Sequence, residues 1–260
     1  MPSSTPERDA KSDGSGVRSV ARAVEILALL REDRPMVTVA EAVKETGLAK
    51  TTVVRMLHTL EANGLVWSTP RGITAGPGLW RWAYLAQTAW QIPGEIRQLM
   101  RELSDQTKET VNLYARRDVM RVCIAQQQST QTLRHVVRVG DELPLWAGAS
   151  SRVLMSDASS NLIARVAGLS PHGAALLPQL TSSVDRARED GYAVTHGERE
   201  VGVSAIAVPV FSPSGRVGSA LTISGPTARF TDERLEEFRT RLGEVAAQMT
   251  SRSFSHPFED

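Results

Sequence analysis

Lys50, Thr51, Thr52 and Arg55, with His58 and Thr59 beyond them, make a run of hydrogen-bond donors and short hydroxyls that contains no carboxylate. On a helix they lie opposite the apolar stripe Val53, Met56, Leu57 and Leu60, and such donors are what reading base edges in a DNA groove requires. A second constellation lies far along the chain. Alternation over residues 217–224 puts Gly218, Ala220, Thr222 and Ser224 on one face, and Ala205 and Ala207 in the preceding apolar run also lack bulk. A small, hydroxylated wall of this kind either seats a closely packed helix or floors a pocket that orients a small ligand. Gly148-Ala149-Ser150-Ser151, opening a helix, adds backbone N–H groups suited to an anion such as a carboxylate.

Nucleophilic chemistry has weaker support. Cys123 paired with His135 or His196 has neither the spacing nor the flanking motif of a catalytic cysteine, and MRVCIA reads as a strand with a buried thiol. No catalytic residue is assigned, no Cys and His cluster has metal-ligand spacing, and no cofactor is expected. The 30 basic and 29 acidic residues nearly balance, so any nucleic-acid surface is a local patch. Between Leu48 and Trp82 the basic residues are Lys50, Arg55, Arg71 and Arg81, against Glu61 alone.

One cysteine precludes an internal disulfide and fits a reducing cytoplasm. The longest apolar run, 205–211, is broken by Pro209 and is far short of a membrane span, so a soluble cytoplasmic protein with no membrane partner is expected. Residues 1–16 lack the apolar core of a signal peptide and read as a disordered tail, and 255–260 as a second, short tail.

Residues 38–66 position the first constellation as helix, turn and helix. Thr38 and Glu41 form a capping box, Gly47 supplies a left-handed turn residue, and the second helix stops at Asn63-Gly64. Two helices so joined form a helix-turn-helix, whose second member can enter the major groove. A preceding helix is expected over 19–31, capped by Ser19, with surplus apolar residues Ile26 and Leu29 that suit contact with a second subunit. Residues 65–67 and 73–74 read as a two-stranded wing with Arg71 at its tip, within reach of phosphate or the minor groove. The same tri-helical core and hairpin also serve elsewhere as a protein-interaction module.

Residues 79–90 form a helix rich in tryptophan, Trp80, Trp82 and Trp90, expected to pack between domains or subunits. A helix over 94–106 follows. Period-two patterns then predict strands at 111–116, 120–126 and 132–140, and a second strand pair at 205–211 and 217–224. Helices are expected at 148–155, at 182–190 before Gly191, and from Thr231 to the end of the domain. The expected fold class is mixed α/β of the α+β kind. Its parts are a winged helix-turn-helix domain over 17–78, a linker helix over 79–91 and an effector domain over 92–254.

From about Val17 to Phe254 the chain resembles the IclR family of bacterial transcription regulators. The resemblance rests on TVAEAVKETGLAKTTVVRMLHTLEANGLV and on GYAVTHGEREVGVSAIAVPVFSPSGRVGSALTISGP. It implies a winged helix-turn-helix and a GAF-like C-terminal domain that binds a small, often carboxylated effector, in a homodimer or homotetramer. It places the effector among residues 147–152, Thr195, Ala205, Thr222 and Ser224, with Trp146 at a position where the family commonly has histidine. Ser151-Arg152 stands where the family has Gly-Lys, and Thr195-His196 where it has acidic residues. A bulkier, less polar entrance argues against a two- or three-carbon keto acid. LYARRDVMRVCIA and LPLWAGASSRVLM are similar to an actinobacterial branch that includes regulators of amino-acid biosynthesis, which implies an amino acid or a related acid.

The leading expectation is a repressor or activator that binds double-stranded DNA through Lys50, Thr51, Thr52, Arg55 and Arg71. Its effector would bind among Trp146, Gly148, Ala149, Ser150, Ser151, Thr195, Ala205, Thr222 and Ser224. The alternatives are a constitutive regulator whose second domain only oligomerises, and an enzyme using Cys123.

Overall fold

The structure is a computed structural model that describes residues 17–31, 33–89, 91–254 and 256. Its internal contacts divide the chain into two units, residues 1–89 and 90–260. The expected tail at 1–16 and the side chain of Trp90 lie outside the described residues.

In the first unit α1 (Arg18–Leu27), α2 (Val39–Thr46) and α3 (Lys50–Ala62) pack around Ile26, Val37, Ala42, Val53, Leu57, Leu60, Val66 and Ile73. Thr38 and Glu41 close the capping box: the threonine hydroxyl accepts the Glu41 N–H at 3.2 Å, and the glutamate accepts the Thr38 N–H at 2.7 Å. Gly47 ends α2 at φ +67°, where a side chain would be strained. α1 is shorter than its periodicity predicts and starts behind Val17 with no side-chain cap. The cause lies at its C-terminal end, where the Arg34 guanidinium donates to the Leu29 carbonyl at 3.2 Å and takes an acceptor that a longer helix would use.

β1 (Met36–Val37), β2 (Val66–Thr69) and β3 (Gly72–Ala75) form an antiparallel sheet in the order β1-β3-β2. β2 and β3 are the wing. β1 carries no sequence signal, because two residues are too few for a period to register. Next comes α4 (Leu79–Ala89), none of whose side chains is buried.

The second unit is one six-stranded antiparallel sheet, ordered β6-β5-β4-β9-β8-β7, with helices on both faces. Its strands are β4 (Thr110–Arg117), β5 (Met120–Gln127), β6 (Glu142–Pro144), β7 (Ala193–His196), β8 (Val203–Phe211) and β9 (Val217–Pro226). On one face α5 (Gly94–Thr107) and α9 (Asp232–Ser251) bury Leu113, Ile206, Val208, Leu221, Ile223 and Phe238. On the other, α6 (Ala149–Leu154), α7 (Ser160–Gly168) and α8 (Leu177–Asp190) cover Tyr114, Cys123, Ala207 and Ala220. Strand alternation separates the two: large aliphatics point to α5 and α9, and small or polar side chains point to α6, α7 and α8.

Two expectations need correction here. Residues 132–140 form no strand. Val137 is buried while Leu133, Val136 and Val139 are exposed, so the alternation has no face to lie against. Its backbone is tied to the sheet near its end, where the Gly140 N–H donates to the Cys123 carbonyl at 2.8 Å and the Cys123 N–H to the Asp141 carbonyl at 3.0 Å, and its His135 side chain meets Ser224 of β9. The packed structure also extends past 254, because His256 is buried beside Phe254 with Nε2 2.7 Å from the Gly218 carbonyl.

Candidate nucleic-acid face and ligand cavity

α3 presents Lys50, Thr51, Arg55, His58 and Thr59 to solvent, while Val53, Leu57 and Leu60 on its other side enter the core. Thr52 is half-buried at the margin. The Thr59 hydroxyl turns back to the Arg55 carbonyl at 3.1 Å, while Lys50, Thr51, Thr52 and Arg55 lie in the first two turns. Glu61 accepts the Ser68 N–H at 2.8 Å, so the one carboxylate of this region holds the wing strand against α3. Arg71 is exposed in the β2–β3 turn, whose shape is set by the Thr69 hydroxyl donating to the Gly72 carbonyl at 2.7 Å. Two exposed cations, short hydroxyls and a basic turn form the local positive patch that balanced overall charge demands.

Apolar surface is left over in this unit. Val20 and Val24 on α1 are exposed, as are Trp80, Trp82, Tyr84 and Leu85 on α4. Exposed aromatics at this density are uncommon on a monomer.

In the second unit, register puts Thr195 beside Ala205 and Ala205 beside Ser224, with Ala207 beside Thr222. Thr195, Ala205, Thr222 and Ser224, with Gly148, Ala149 and Ser150 from the start of α6, line a cavity of about 40 Å³. The structure thus brings together seven of the nine sequence-selected positions. Trp146 and Ser151 do not line it. The Trp146 ring packs on the apolar cluster beneath α6, and the Ser151 hydroxyl donates to the Ala147 carbonyl at 2.8 Å. The backbone N–H groups at the start of α6 are not free either. Gly148 donates to Glu198 at 2.9 Å and Ala149 to the Thr195 hydroxyl at 3.1 Å.

Arg121, Tyr114, His135, Glu198, Arg199 and Glu200 also line the cavity. Sequence reasoning missed Arg121 as a site residue. It is 3% exposed, and among the described residues it has no carboxylate in contact and its Nε has no partner; its Nη1 donates to the Pro144 carbonyl at 2.8 Å, to the Ala147 carbonyl and to the Ser151 hydroxyl. Burial pushes its pKa down to about 10. Gly148, at φ +98°, lets it close in, since a Cβ there would sit 2.9 Å from the Arg121 Nη2. Arg152 is buried as well, but it pairs with Glu198 at 2.9 Å.

A hydrogen-bond chain fixes the direction of one hydroxyl. Arg199 Nη2 lies 2.5 Å from His135 Nε2, and since guanidinium only donates, Nε2 accepts and Nδ1 carries the proton. Nδ1 is 3.0 Å from the Ser224 hydroxyl, which also receives Asn112 Nδ2 at 3.0 Å. With both its lone pairs taken, Ser224 has its own proton left to donate. The Thr222 hydroxyl is buried without a partner. The cavity wall therefore offers donors to an acceptor-only group such as a carboxylate.

Burial, then the Arg199 charge, pushes the His135 pKa from its ordinary 6.5 down to about 4, partly offset by Glu200. Between those values the unfolded chain binds more protons, so this contribution to stability is full above about pH 6.5 and falls as the pH drops towards 4. Urea unfolding at stepped pH is expected to show the wild type losing up to about 1.4 kcal/mol per pH unit more than His135→Asn. Parallel profiles would mean that the imidazole is not held neutral. Cys123 is buried with its thiol pushed up to about 12, which keeps it protonated and unreactive at neutral pH.

Among the described residues no group of His, Cys, Asp or Glu could hold a metal ion, and no helix is long and apolar enough to cross a membrane. The model of the IclR helix-turn-helix domain matches residues 19–70, and that of the bacterial transcriptional regulator IclR C-terminal domain matches residues 85–251. The HTH-type transcriptional regulator KdgR of Escherichia coli K12 is 31% identical over 96% of this chain and 98% of its own length. A putative IclR-family regulator from Rhodococcus sp. is 40% identical over 95% of this chain and 98% of its own, with a TM-score of 0.62. An IclR homolog from Microbacterium hydrocarbonoxydans, complexed with 4-hydroxybenzoate, is 20% identical over 90% of this chain and 99% of its own, at a TM-score of 0.68.

Proposed function

The chain belongs to the IclR family of DNA-binding transcriptional regulators with an effector-binding C-terminal domain, and from that membership we propose how its own residues divide the work. Residues 17–78 bind DNA, 79–91 connect, and 92–254 hold the effector. Lys50, Thr51 and Arg55 read base edges in the major groove, Thr52 contacts the groove margin, and Arg71 reaches phosphate or the minor groove. The observation that carries this is the acid-free, exposed start of α3. The effector is a small carboxylated molecule whose head lies among Gly148, Ala149, Ser150, Thr195, Ala205, Thr222 and Ser224. The donor set of Ser224, Thr222 and Arg121 supports a carboxylate, which is also the charged group of the 4-hydroxybenzoate in the Microbacterium homolog.

The exposed apolar faces of α1 and α4 pair two copies of the chain, giving a homodimer or a dimer of dimers with recognition helices spaced for two half-sites. Effector bound in one dimer geometry better than in another changes operator affinity by that difference alone. The protein works in the cytoplasm and is not an enzyme. Titrating the full chain into DNA from upstream of its own and adjacent genes, over a range of salt and with and without carboxylic acids, tests the scheme. Expected is binding that weakens steeply with salt and shifts with one class of acid. Salt-insensitive or absent binding overturns it.

A further inference from the structure

The inner cavity, at about 40 Å³, has room for about three water-sized positions, the size of a carboxylate head and no more. Against it lies a second, open groove of about 260 Å³, and the two share His135, Glu200 and Val203 as a partition. The groove's wall is mixed: Arg134, His135 and Glu200 lie in it together with the exposed apolar side chains Leu133, 68% accessible, Val136, 45%, and Val201, 96%, and with Val203 and Pro226. Leu133, Val136 and Val201 are side chains of two irregular segments, the stretch after β5 and the turn between β7 and β8. Nothing in the folding of the domain requires them to be apolar, because they contribute almost nothing to either core cluster.

We propose that the groove takes the apolar body of the effector, which makes that effector an amphipathic monocarboxylic acid. Its carboxylate occupies the inner cavity and its hydrocarbon part crosses the His135–Val203 partition onto Leu133, Val136 and Val201. The inference rests on the effector reading above. It follows from three joined features: a small chamber in which Thr222, Ser224 and Arg121 stand beside Glu198 and Glu200, a shared partition, and exposed apolar side chains on the far side of that partition. Leu133, Val136 and Val201 then set ligand length and shape, while Thr222, Ser224 and Arg121 set charge.

Calorimetric titration of the full chain with sodium acetate, sodium hexanoate and sodium phenylacetate tests it. Hexanoate or phenylacetate is expected to bind at least about tenfold more tightly than acetate, as even partial burial of the added carbons requires. Val201→Ser and Leu133→Ser, both at exposed positions and so safe for folding, are expected to remove roughly three- to tenfold of that preference and leave acetate unchanged. Equal affinity for all three acids, or a preference that both variants retain, overturns the groove assignment while leaving the carboxylate reading intact. No binding of any of the acids overturns the carboxylate reading itself, and the groove assignment with it.

Discussion

Arg55→Ala is expected to weaken operator binding by roughly 10- to 100-fold without changing the stability of the chain. Arg55 sits in the second turn of α3 with its guanidinium exposed, and among the described residues its side chain makes no hydrogen bond or ion pair within the protein. Exposed positions of that kind typically shift unfolding free energy by no more than about 0.5 kcal/mol when changed. A guanidinium that reads a guanine contributes about 1–3 kcal/mol of discrimination, which sets the size of the expected loss. Lys50→Ala, at the first position of the same helix, serves as a contrast. If its ammonium meets phosphate, binding weakens on every sequence alike and the salt slope falls by about one. Fluorescence anisotropy with operator and scrambled duplexes at several salt concentrations separates the two roles. An unchanged Kd for Arg55→Ala moves the reading face away from the start of α3.

Arg121→Met is expected to reduce hexanoate affinity by more than about 50-fold while changing unfolding free energy by no more than about 2 kcal/mol. Two opposed effects set the stability estimate. The change orphans the carbonyls of Pro144 and Ala147 and removes a donor to Ser151, at about 1–3 kcal/mol for each acceptor left truly buried. It also removes a guanidinium buried with no carboxylate in contact among the described residues, whose pKa depression to about 10 corresponds to a few kcal/mol against the charged form. These nearly cancel. The binding effect has no such offset, because an acid placed in the cavity loses a buried cation that, among the described residues, has no carboxylate in contact with it. Arg152 does not substitute, since Glu198 already neutralises it at 2.9 Å. Paired calorimetry and urea unfolding check both halves. Strong destabilisation with unaltered acid binding would make Arg121 a strut for residues 144–151 rather than a ligand-facing cation.

Both predictions depend on how site residues are recruited, and the two sites differ in this. The side chains proposed to read DNA all lie within one helix and one turn, at spacings that a local rule can read. Thr38, Glu41 and Gly47 announce the helix-turn-helix because capping and the left-handed turn are interactions between near neighbours in the chain. The cavity is assembled across the chain. His135 meets Ser224 over 89 positions and Arg199 over 64, and no period or motif links them. Residues 132–140 show the same limit from the other side, since their alternation was strand-like and yet no sheet edge was there to receive it.

What the sequence determined by itself is what short-range periodicity and capping chemistry dictate. It placed the acid-free side of α3 opposite its core stripe, put Arg71 in a turn, and set Thr222 and Ser224 on the small-residue face of β9. It also carried the family, through two motif stretches that span most of the chain. Tertiary structure alone decided which way the remaining groups faced. It turned Trp146 and Ser151 out of the cavity, closed the N–H groups of Gly148 and Ala149 with Glu198 and Thr195, and brought Arg121 to the cavity wall. The physical reason is that burial, desolvation and the direction of a hydroxyl proton depend on every group within a few ångströms. Those neighbours come from strands and loops that the chain brings together only on folding.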